Sequence, residues 1–278
     1  MNKLLSITWK DLLQTIREWK ALFFMLIMPV LFTLFFGLVF TTEEGGAAGD
    51  VQSSMEKLPQ GRYFSIQTIP VSGAAAQPLP GGFSQSSPGM IIQFTILGLI
   101  STAMVLLYER KSKTMGRMIA TPIRFAGIIA GHTLAMFIAV YIQQLILVVV
   151  GQIIFKVPYF SNPGPLFLLL FFFALWATSL GVLISTFAKK EEQVVTLAII
   201  CMFIFSAFGG AWFPLEVAGP AFSRIGHVLP SAWVMDGLQD IILRGKGFNA
   251  LRYPLLITAA YTVVFFAAAT IRLRRLRA

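Results

Sequence analysis

Charged residues are scarce in this chain of 278 residues. Asp, Glu, Lys and Arg make up 12% of it, whereas hydrophobic residues make up 56%. A soluble globular domain carries about 25% charged residues. The mean hydropathy is +0.77. This composition excludes an ordinary soluble domain and indicates an integral membrane protein.

The residues and motifs used for catalysis and metal binding are also scarce. The one cysteine, Cys201, allows no intrachain disulfide, and we interpret it as a small core residue. The two histidines are too few for a histidine-rich metal site, so we predict no metal. There is no G-x-x-x-x-G-K-[ST] phosphate loop, which argues against ATP binding by this chain. Because no acid/base cluster is present either, we predict that the chain is not an enzyme.

Long apolar runs organise the sequence. A bilayer core of about 30 Å needs about 20 helical residues, and the interiors of the runs contain no Asp, Glu, Lys or Arg. The missing intramembrane carboxylate argues against coupling to protons or sodium. We predict an all-α integral membrane protein, a single domain over 1–278 with Pro29 kinking the first span. The six predicted transmembrane helices are at about 21–42, 88–108, 126–155, 164–187, 193–213 and 254–272.

Positive charge is distributed unevenly between the two sides. Fifteen of the 22 Lys and Arg residues fall on the side of the N-terminus. By the positive-inside rule both termini are cytoplasmic, and the net charge of +10 needs no nucleic-acid partner. Residues 1–20 carry Leu5, Trp9, Leu12, Leu13 and Ile16 on one helical face, with Lys3, Lys10, Gln14 and Arg17 on the other. This pattern predicts an amphipathic helix in the cytoplasmic interface.

Two segments on the other side differ in composition. Residues 43–87 are rich in Gly, Ala, Ser, Pro and Gln, which predicts an extracellular loop. Residues 214–253 contain two helix-like stretches, too short to span a bilayer and separated by prolines such as Pro220 and Pro230. Short helices of this kind predict an extracellular re-entrant pair that leans into the membrane against protein.

A few polar or aromatic residues inside the spans are candidates for a substrate pathway. Interhelical hydrogen bonding is the alternative role for the polar ones. We interpret His132 and His227, which lie near the two membrane surfaces, as hydrogen-bonded structural residues. The candidate pathway residues are Gln93, Thr95, Thr102, Gln143, Gln144, Thr196, Phe203 and Ser206.

The segment 109–125, ERKSKTMGRMIATPIRF, is strongly basic and lies between two uncharged runs. Gly116 and Thr121-Pro122 enclose a short helix that is apolar enough to be buried and basic enough to be oriented. The residue before a proline disfavours helix, so this helix ends before Pro122. We interpret this helix as a surface that docks on a partner. The alternative is a basic loop that only fixes the topology of the spans.

Two stretches carry a resemblance to a known family. The sequence ER…TMGRMIATP at 109–122 is similar to the E-R-E-x-G-T-L-E-R-L-L-A-T-P-like cytoplasmic stretch of the permease subunits of type-2 ABC transporters, mostly bacterial exporters. The segment before the last span, GGAWFPL…P…LP…DGL…G, resembles theirs as well, and PGM at 88–90 is a weaker match. Lys111, Lys113 and Gly116 stand where the family commonly has an acidic residue, Gly and Glu, which suggests a partner groove with compensating acidic residues.

The resemblance implies a mechanism with partners. Two permease subunits, identical or closely related, would each insert the 109–125 loop as a coupling helix into one of two ATPase subunits that bind ATP and Mg²⁺. This chain would hold no cofactor, and its lipid environment would be the cell inner (plasma) membrane. The implied docking residues are Glu109, Arg110, Thr114, Met115, Gly116, Arg117, Met118, Ile119, Ala120, Thr121 and Pro122. The matching residues before the last span are Gly209, Gly210, Phe213, Pro214, Pro220, Pro230 and Asp236.

The functional expectation is a multi-pass ABC exporter subunit for a hydrophobic or amphipathic substrate such as a drug, an antibiotic or a lipid-like molecule. The hydrophobic class follows from the uncharged spans, and the outward direction from the resemblance. One alternative is a permease for a lipid-linked glycan or polysaccharide, which would need aromatic residues along its path. Another is a stand-alone carrier or channel that needs no ATPase.

Overall fold

All of the regular secondary structure in the described part of the chain is helical. The computed structural model describes residues 8–13, 23–39, 82–111, 125–215 and 217–275, and these ranges contain no β-strand. The predicted all-α class is therefore confirmed. In chain order the helices are α1 (8–13), α2 (Met28–Val39), α3 (Gly82–Leu97), α4 (Leu99–Lys111), α5 (Phe125–Ile153), α6 (Pro163–Phe187), α7 (Glu191–Ala207), α8 (Pro220–Gly226), α9 (Pro230–Ile242) and α10 (Arg252–Arg275).

Three helical stretches of the described chain are long and apolar enough to cross a membrane. They are Ala130–Ile153, Pro163–Phe187 and Phe248–Leu273, at the positions of the third, fourth and sixth predicted spans. The chain is thus an integral membrane protein. The other predicted spans coincide with shorter helices, such as α7 with 17 residues. The full count of six stays a prediction.

Prolines mark where several helices begin. Pro163, Pro220 and Pro230 each occupy the first turn of their helix. Proline is tolerated there because the N–H that it lacks would have no intrahelical acceptor. Pro29 is the second residue of α2, and α2 directly follows a π-helical turn at Phe23–Ile27. The two short helices predicted within 214–253 are therefore present as α8 and α9, while their re-entrant depth stays a prediction.

The second predicted span differs from expectation at both its start and its middle. Its helix begins at Gly82 rather than at 88, so residues 82–87 of the predicted loop are helical, and the helix is interrupted at Gly98. The polar residues at its start suggested a loop, but they are buried and bonded to protein. The Gln85 Nε2 amide donates to the carbonyl oxygen of Gly210 at 2.7 Å, and Ser87 bonds to the Tyr159 hydroxyl at 2.8 Å.

The fifth predicted span, 193–213, ends sooner than expected. Helix α7 stops at Ala207, and a turn follows in which Gly210 has a φ of 73°. Only glycine adopts this left-handed conformation without strain. The Ala211 N–H then donates to the Ser206 carbonyl oxygen at 3.0 Å, which closes the turn. The chain after α7 is thereby directed back onto α3.

Helix α6 is the centre of the bundle. It packs against α4, α5 and most extensively α10, and Leu166, Phe173 and Trp176 are fully buried on it. Small residues such as Ala174 and Ala177 let neighbouring helices approach closely. Helix α10, in contrast, exposes Val263 and Val264 on its outer side, as expected for a surface in contact with lipid.

Four helix ends meet at one end of the bundle. A separate apolar cluster joins Leu106 near the end of α4, Met136 in the first half of α5, Val182 near the end of α6 and Leu273 near the end of α10. These are the ends that adjoin the segments with most of the positive charge. We call this the basic end. It carries the 109–125 segment.

Candidate functional site

The structure fixes both ends of the predicted coupling loop but not its middle. Glu109 and Arg110 lie in the last turn of α4, and α5 begins at Phe125. The remaining predicted docking residues, Thr114, Met115, Gly116, Arg117, Met118, Ile119, Ala120, Thr121 and Pro122, fall outside the described residues. The loop therefore begins and ends on helices that pack together at the basic end.

Charged side chains at this end also stabilise helix termini. Arg272 of α10 donates from Nε to the Thr186 carbonyl oxygen at 3.3 Å, and its guanidinium carbon lies 4.0 Å from the Phe187 ring centroid. A cation at the C-terminus of α6 is favoured by the helix dipole. Glu191 and Glu192 occupy the first turn of α7, where negative charge is favoured for the same reason.

A buried Asp–His pair joins the N-terminal segment to α5. The His132 Nδ1 atom lies 2.5 Å from Asp11 Oδ2, and both residues are buried. Because a carboxylate only accepts, Nδ1 carries the proton. Thr8 adds a second bond, from Oγ1 to the Gly131 carbonyl oxygen at 3.1 Å. His132 is thus a hydrogen-bonded structural residue, as interpreted from the sequence.

The N-terminal helix itself is described only in part. Trp9 is 61% exposed, and Leu12 and Leu13 are half-buried. Of the residues that define the predicted amphipathic faces, Lys3, Leu5, Gln14, Ile16 and Arg17 lie outside the described residues, so the interfacial position stays a prediction. The sequence analysis missed Asp11, although an acidic residue within a mostly basic amphipathic helix was a usable signal.

Three of the predicted pathway residues take part in hydrogen bonds that connect α3 and α5. Gln143 donates from Nε2 to the Phe94 carbonyl oxygen at 3.1 Å, and Gln144 donates from Nε2 to Thr95 Oγ1 at 3.3 Å. Gln143 is 1% exposed and Gln144 is fully buried. The alternative role considered for these residues, interhelical hydrogen bonding, is the one observed in this conformation.

Two further pathway candidates come together around a residue that the sequence analysis did not assign to the pathway. The Trp212 indole N–H donates to Gln93 Oε1 at 2.5 Å, and the Trp212 ring meets the Phe203 ring edge-on at 5.6 Å between centroids. Phe203 is 52% exposed on α7. Trp212 therefore links a buried amide to an exposed aromatic surface.

The remaining pathway candidates stand apart. Thr196 donates from Oγ1 to the Glu192 carbonyl oxygen of its own helix at 2.7 Å, near the basic end. Ser206 is fully buried, and its hydroxyl has no hydrogen-bond partner within the described part of the chain. The Thr102 side chain lies outside what the structure describes, although its backbone is in α4. Among the candidates whose side chains are described, Thr196 and Ser206 therefore lie apart from the two groups above, and the assignment of a substrate pathway stays a prediction.

The residues matched before the last span form a turn that is locked against α3. Gln85 holds the Gly210 carbonyl, and Gln239 of α9 donates from Nε2 to Gln85 Oε1 at 2.8 Å. At Gly89 the backbones touch, since an added Cβ would lie 1.9 Å from the Ala211 carbonyl oxygen. Phe213 packs on Phe222 of α8 at 5.7 Å between ring centroids. We call this turn, residues 208–215, the locked turn.

A second Asp–His pair lies between α8 and α9. The His227 Nε2 atom is 2.8 Å from Asp236 Oδ2, and Nδ1 is 2.7 Å from the Ser223 carbonyl oxygen. Because a carbonyl oxygen only accepts, Nδ1 is the donor to Ser223, and the other ring nitrogen faces the Asp236 carboxyl group. The side chains of this pair are 29% and 36% exposed. His227 is therefore also a hydrogen-bonded structural residue.

Metal chemistry has no site in the described ranges. No group of three or more His, Cys, Asp or Glu residues lies together there. The expected absence of a metal or cofactor from the whole chain stays a prediction.

Comparison with known proteins supplies the identity of the fold family. The profile of the ABC-2 type transporter family matches residues 2–243, which is most of the chain. The chain belongs to the ABC-2 type transporter family. This match confirms the resemblance to type-2 ABC permeases drawn from the basic loop and the segment before the last span. No solved structure gives a significant match to this chain.

Three of the proteins to which this chain is similar are bacterial permeases. The chain is 26% identical over 186 residues to the linearmycin resistance permease protein LnrN of Bacillus subtilis, covering 67% of this chain and 48% of LnrN. It is 23% identical over 246 residues to the probable multidrug ABC transporter permease YbhS of Escherichia coli, covering 84% of this chain and 65% of YbhS. A third relative is the inner membrane transport permease YhhJ of E. coli, 26% identical over 188 residues, which cover 67% of this chain and 50% of YhhJ. The chain thus matches about half to two thirds of each relative's length.

Proposed function

We propose that this ABC-2 permease is the membrane-spanning subunit of an ATP-driven exporter in the inner (plasma) membrane, with six spans and both termini cytoplasmic. It moves a hydrophobic or amphipathic substrate, such as a drug, an antibiotic or a lipid-like molecule, out of the cytoplasm or the inner leaflet. Two ATPase subunits, which bind ATP and Mg²⁺, dock on the 109–125 loop. A second permease subunit, identical or closely related, completes the path.

The packing of the two helices that flank the 109–125 loop supports this proposal most directly. The helices on both sides of it, α4 and α5, meet the ends of α6 and α10 in one apolar cluster at the basic end. A push on the loop is therefore transmitted to the central helix of the bundle. A loop that only fixed topology would need no such connection.

The chemistry of the helices supports the substrate class. The central stretches of α3 to α7 and of α10 carry no Asp, Glu, Lys or Arg, and the buried polar groups between α3, α5 and α9 are amides and hydroxyls. Such a surface solvates apolar molecules with a few hydrogen-bonding groups and gives no counter-charge for an ion. The names of LnrN and YbhS, which refer to linearmycin resistance and multidrug transport, point the same way.

The experiment begins with a pull-down of the detergent-solubilised chain expressed with its genomic neighbours. We expect a soluble P-loop ATPase at a 1:1 ratio to this chain. Replacing Arg117, Met118 and Ile119 together with Asp should abolish stimulation of the ATPase and transport, because the buried apolar and basic face of the coupling helix is lost. Membrane insertion, measured by protein yield in the membrane fraction, should be unchanged.

The matched control is the double variant Arg224→Asp/Ile225→Asp on α8, where both residues are exposed far from the basic end. It makes a comparable change of charge and hydrophobicity and should keep the ATPase bound. Transport that persists in the triple variant would disprove the docking assignment. A chain that transports without any ATPase would instead support the stand-alone carrier.

A further inference from the structure

The predicted second span is divided into two helices at a glycine. Helix α3 ends at Leu97 and α4 begins at Leu99, so Gly98 stands alone between them. Glycine destabilises a helix interior by about 1 kcal/mol relative to alanine because it adds backbone freedom. A glycine inside a transmembrane helix is therefore a natural place for a change of direction.

The side chain of Gln143 is fitted to this break. Its Nε2 amide donates to the Phe94 carbonyl oxygen at 3.1 Å, and the same carbonyl accepts the Gly98 N–H at 2.8 Å. On the other side, a Cβ added to Gly98 would lie 2.8 Å from Gln143 Oε1. The carboxamide thus occupies the space that a side chain at the break would need.

The two halves of the divided span have different neighbours. Helix α3 contacts α7, α9 and α5, and Gln85 and Gln93 fasten it to the locked turn. Helix α4 packs mainly on α6 and runs into the 109–125 loop. The break therefore separates a half fastened to the far end of the bundle from a half attached to the basic end.

We propose that Gly98 is a hinge in the second span and that Gln143 is the positioning residue that sets its angle. Movement of the 109–125 loop then reorients α4 while α3 stays fastened to the locked turn. What drives the movement rests on the proposed function, whereas the hinge itself is a property of this chain alone.

The test measures distances between spin labels in the full chain reconstituted in lipid nanodiscs, without any ATPase. Cys201 is replaced by Ala, and the exposed residues Tyr108 on α4 and Ile142 on α5 are changed to Cys. A second pair, Ile142→Cys with Val228→Cys, reports on the far end of the bundle. Pulsed electron paramagnetic resonance then gives the distribution of distances for each pair.

Two variants should change the width of the Tyr108–Ile142 distance distribution in opposite directions. Gln143→Ala removes one bond at the break, so the populations of competing angles rise about two- to tenfold and the distribution broadens. Adding Gly98→Ala in the same background places a helix-favouring residue where the carboxamide no longer interferes. The helix becomes continuous and the distribution narrows.

The matched control is Gln144→Ala, which removes an equally buried carboxamide that bonds to Thr95 rather than at the break. It should leave the Tyr108–Ile142 distribution unchanged. The Ile142–Val228 distribution should be unchanged in every variant. The hinge would be overturned if the Tyr108–Ile142 distribution of Gln144→Ala were as broad as that of Gln143→Ala. It would also be overturned if the distribution of the double variant, Gln143→Ala with Gly98→Ala, were as broad as that of Gln143→Ala alone. If the hinge is confirmed but no ATPase couples to the chain, the proposed function is wrong and the hinge still holds.

Discussion

The buried pair of Asp11 and His132 should be worth far more to stability than the exposed pair of His227 and Asp236. We take Asp11→Ala as the perturbation. It leaves His132 buried without its carboxylate, in a small cavity lined by Leu106 and Met136. Losing a buried hydrogen bond to a charged group costs about 1.5–3 kcal/mol.

The comparison variant is Asp236→Ala, whose pair is about one-third exposed. Exposed ion pairs contribute about 0–1 kcal/mol. For a chain of this size 1 kcal/mol shifts the thermal midpoint by about 2–4 °C, so Asp11→Ala should lower it by roughly 3–12 °C and Asp236→Ala by less than about 4 °C. Asp11→Asn keeps an acceptor for the Nδ1 proton and should fall between the two.

The assay is thermal unfolding of the purified chain in detergent, followed by tryptophan fluorescence at fixed pH and salt. Raising the salt concentration should weaken the exposed pair and leave the buried one unchanged, since salt screens mainly exposed charges. Equal shifts for Asp11→Ala and Asp236→Ala would refute the argument from burial.

Two other predictions concern packing and ionisation. Gly89→Ala should destabilise the fold by about 1–3 kcal/mol, since the new Cβ overlaps the Ala211 backbone; Gly247→Ala, with no atom within 4 Å of its Cβ, should stay within about 0.5 kcal/mol of the parent in the same unfolding assay. Burial raises the pKa of Tyr159 above its ordinary value of 10.0, so the stability it contributes is complete below pH 10 and is lost as the pH rises further. Tyr159→Phe should remove this alkaline loss from the pH profile of the thermal midpoint, and an unchanged profile would contradict it.

Much of the architecture could be predicted because it depends on local composition. Uncharged runs predicted the long helices, and prolines at 220 and 230 predicted two short ones. The start of α3 could not be predicted in this way. Gln85 and Ser87 look like loop residues until their partners Gly210 and Tyr159, which are distant in sequence, satisfy them. Burial of polar residues depends on tertiary contacts that no local window contains.

The candidate site was predictable as residue types but not as an arrangement. The sequence singled out Gln93, Gln143 and Gln144, and the structure confirms that they are buried polar residues between helices. The sequence did not show that Trp212 bonds Gln93 or that Gln143 adjoins Gly98, because the register between two helices is set by packing. The docking residues from 114 to 122 stay a prediction.

The uncharged centres of the long helices have an electrical consequence. Residues 133–153, 163–187 and 253–271 contain no Asp, Glu, Lys or Arg. Moving one elementary charge through 100 mV takes about 2.3 kcal/mol, and a helix that carries none there does no such work when it tilts or slides. Changes of conformation in these helices are then indifferent to the voltage across the membrane. Under the ATP-driven function proposed above, loss of the membrane potential would leave these movements unaffected as long as ATP remained.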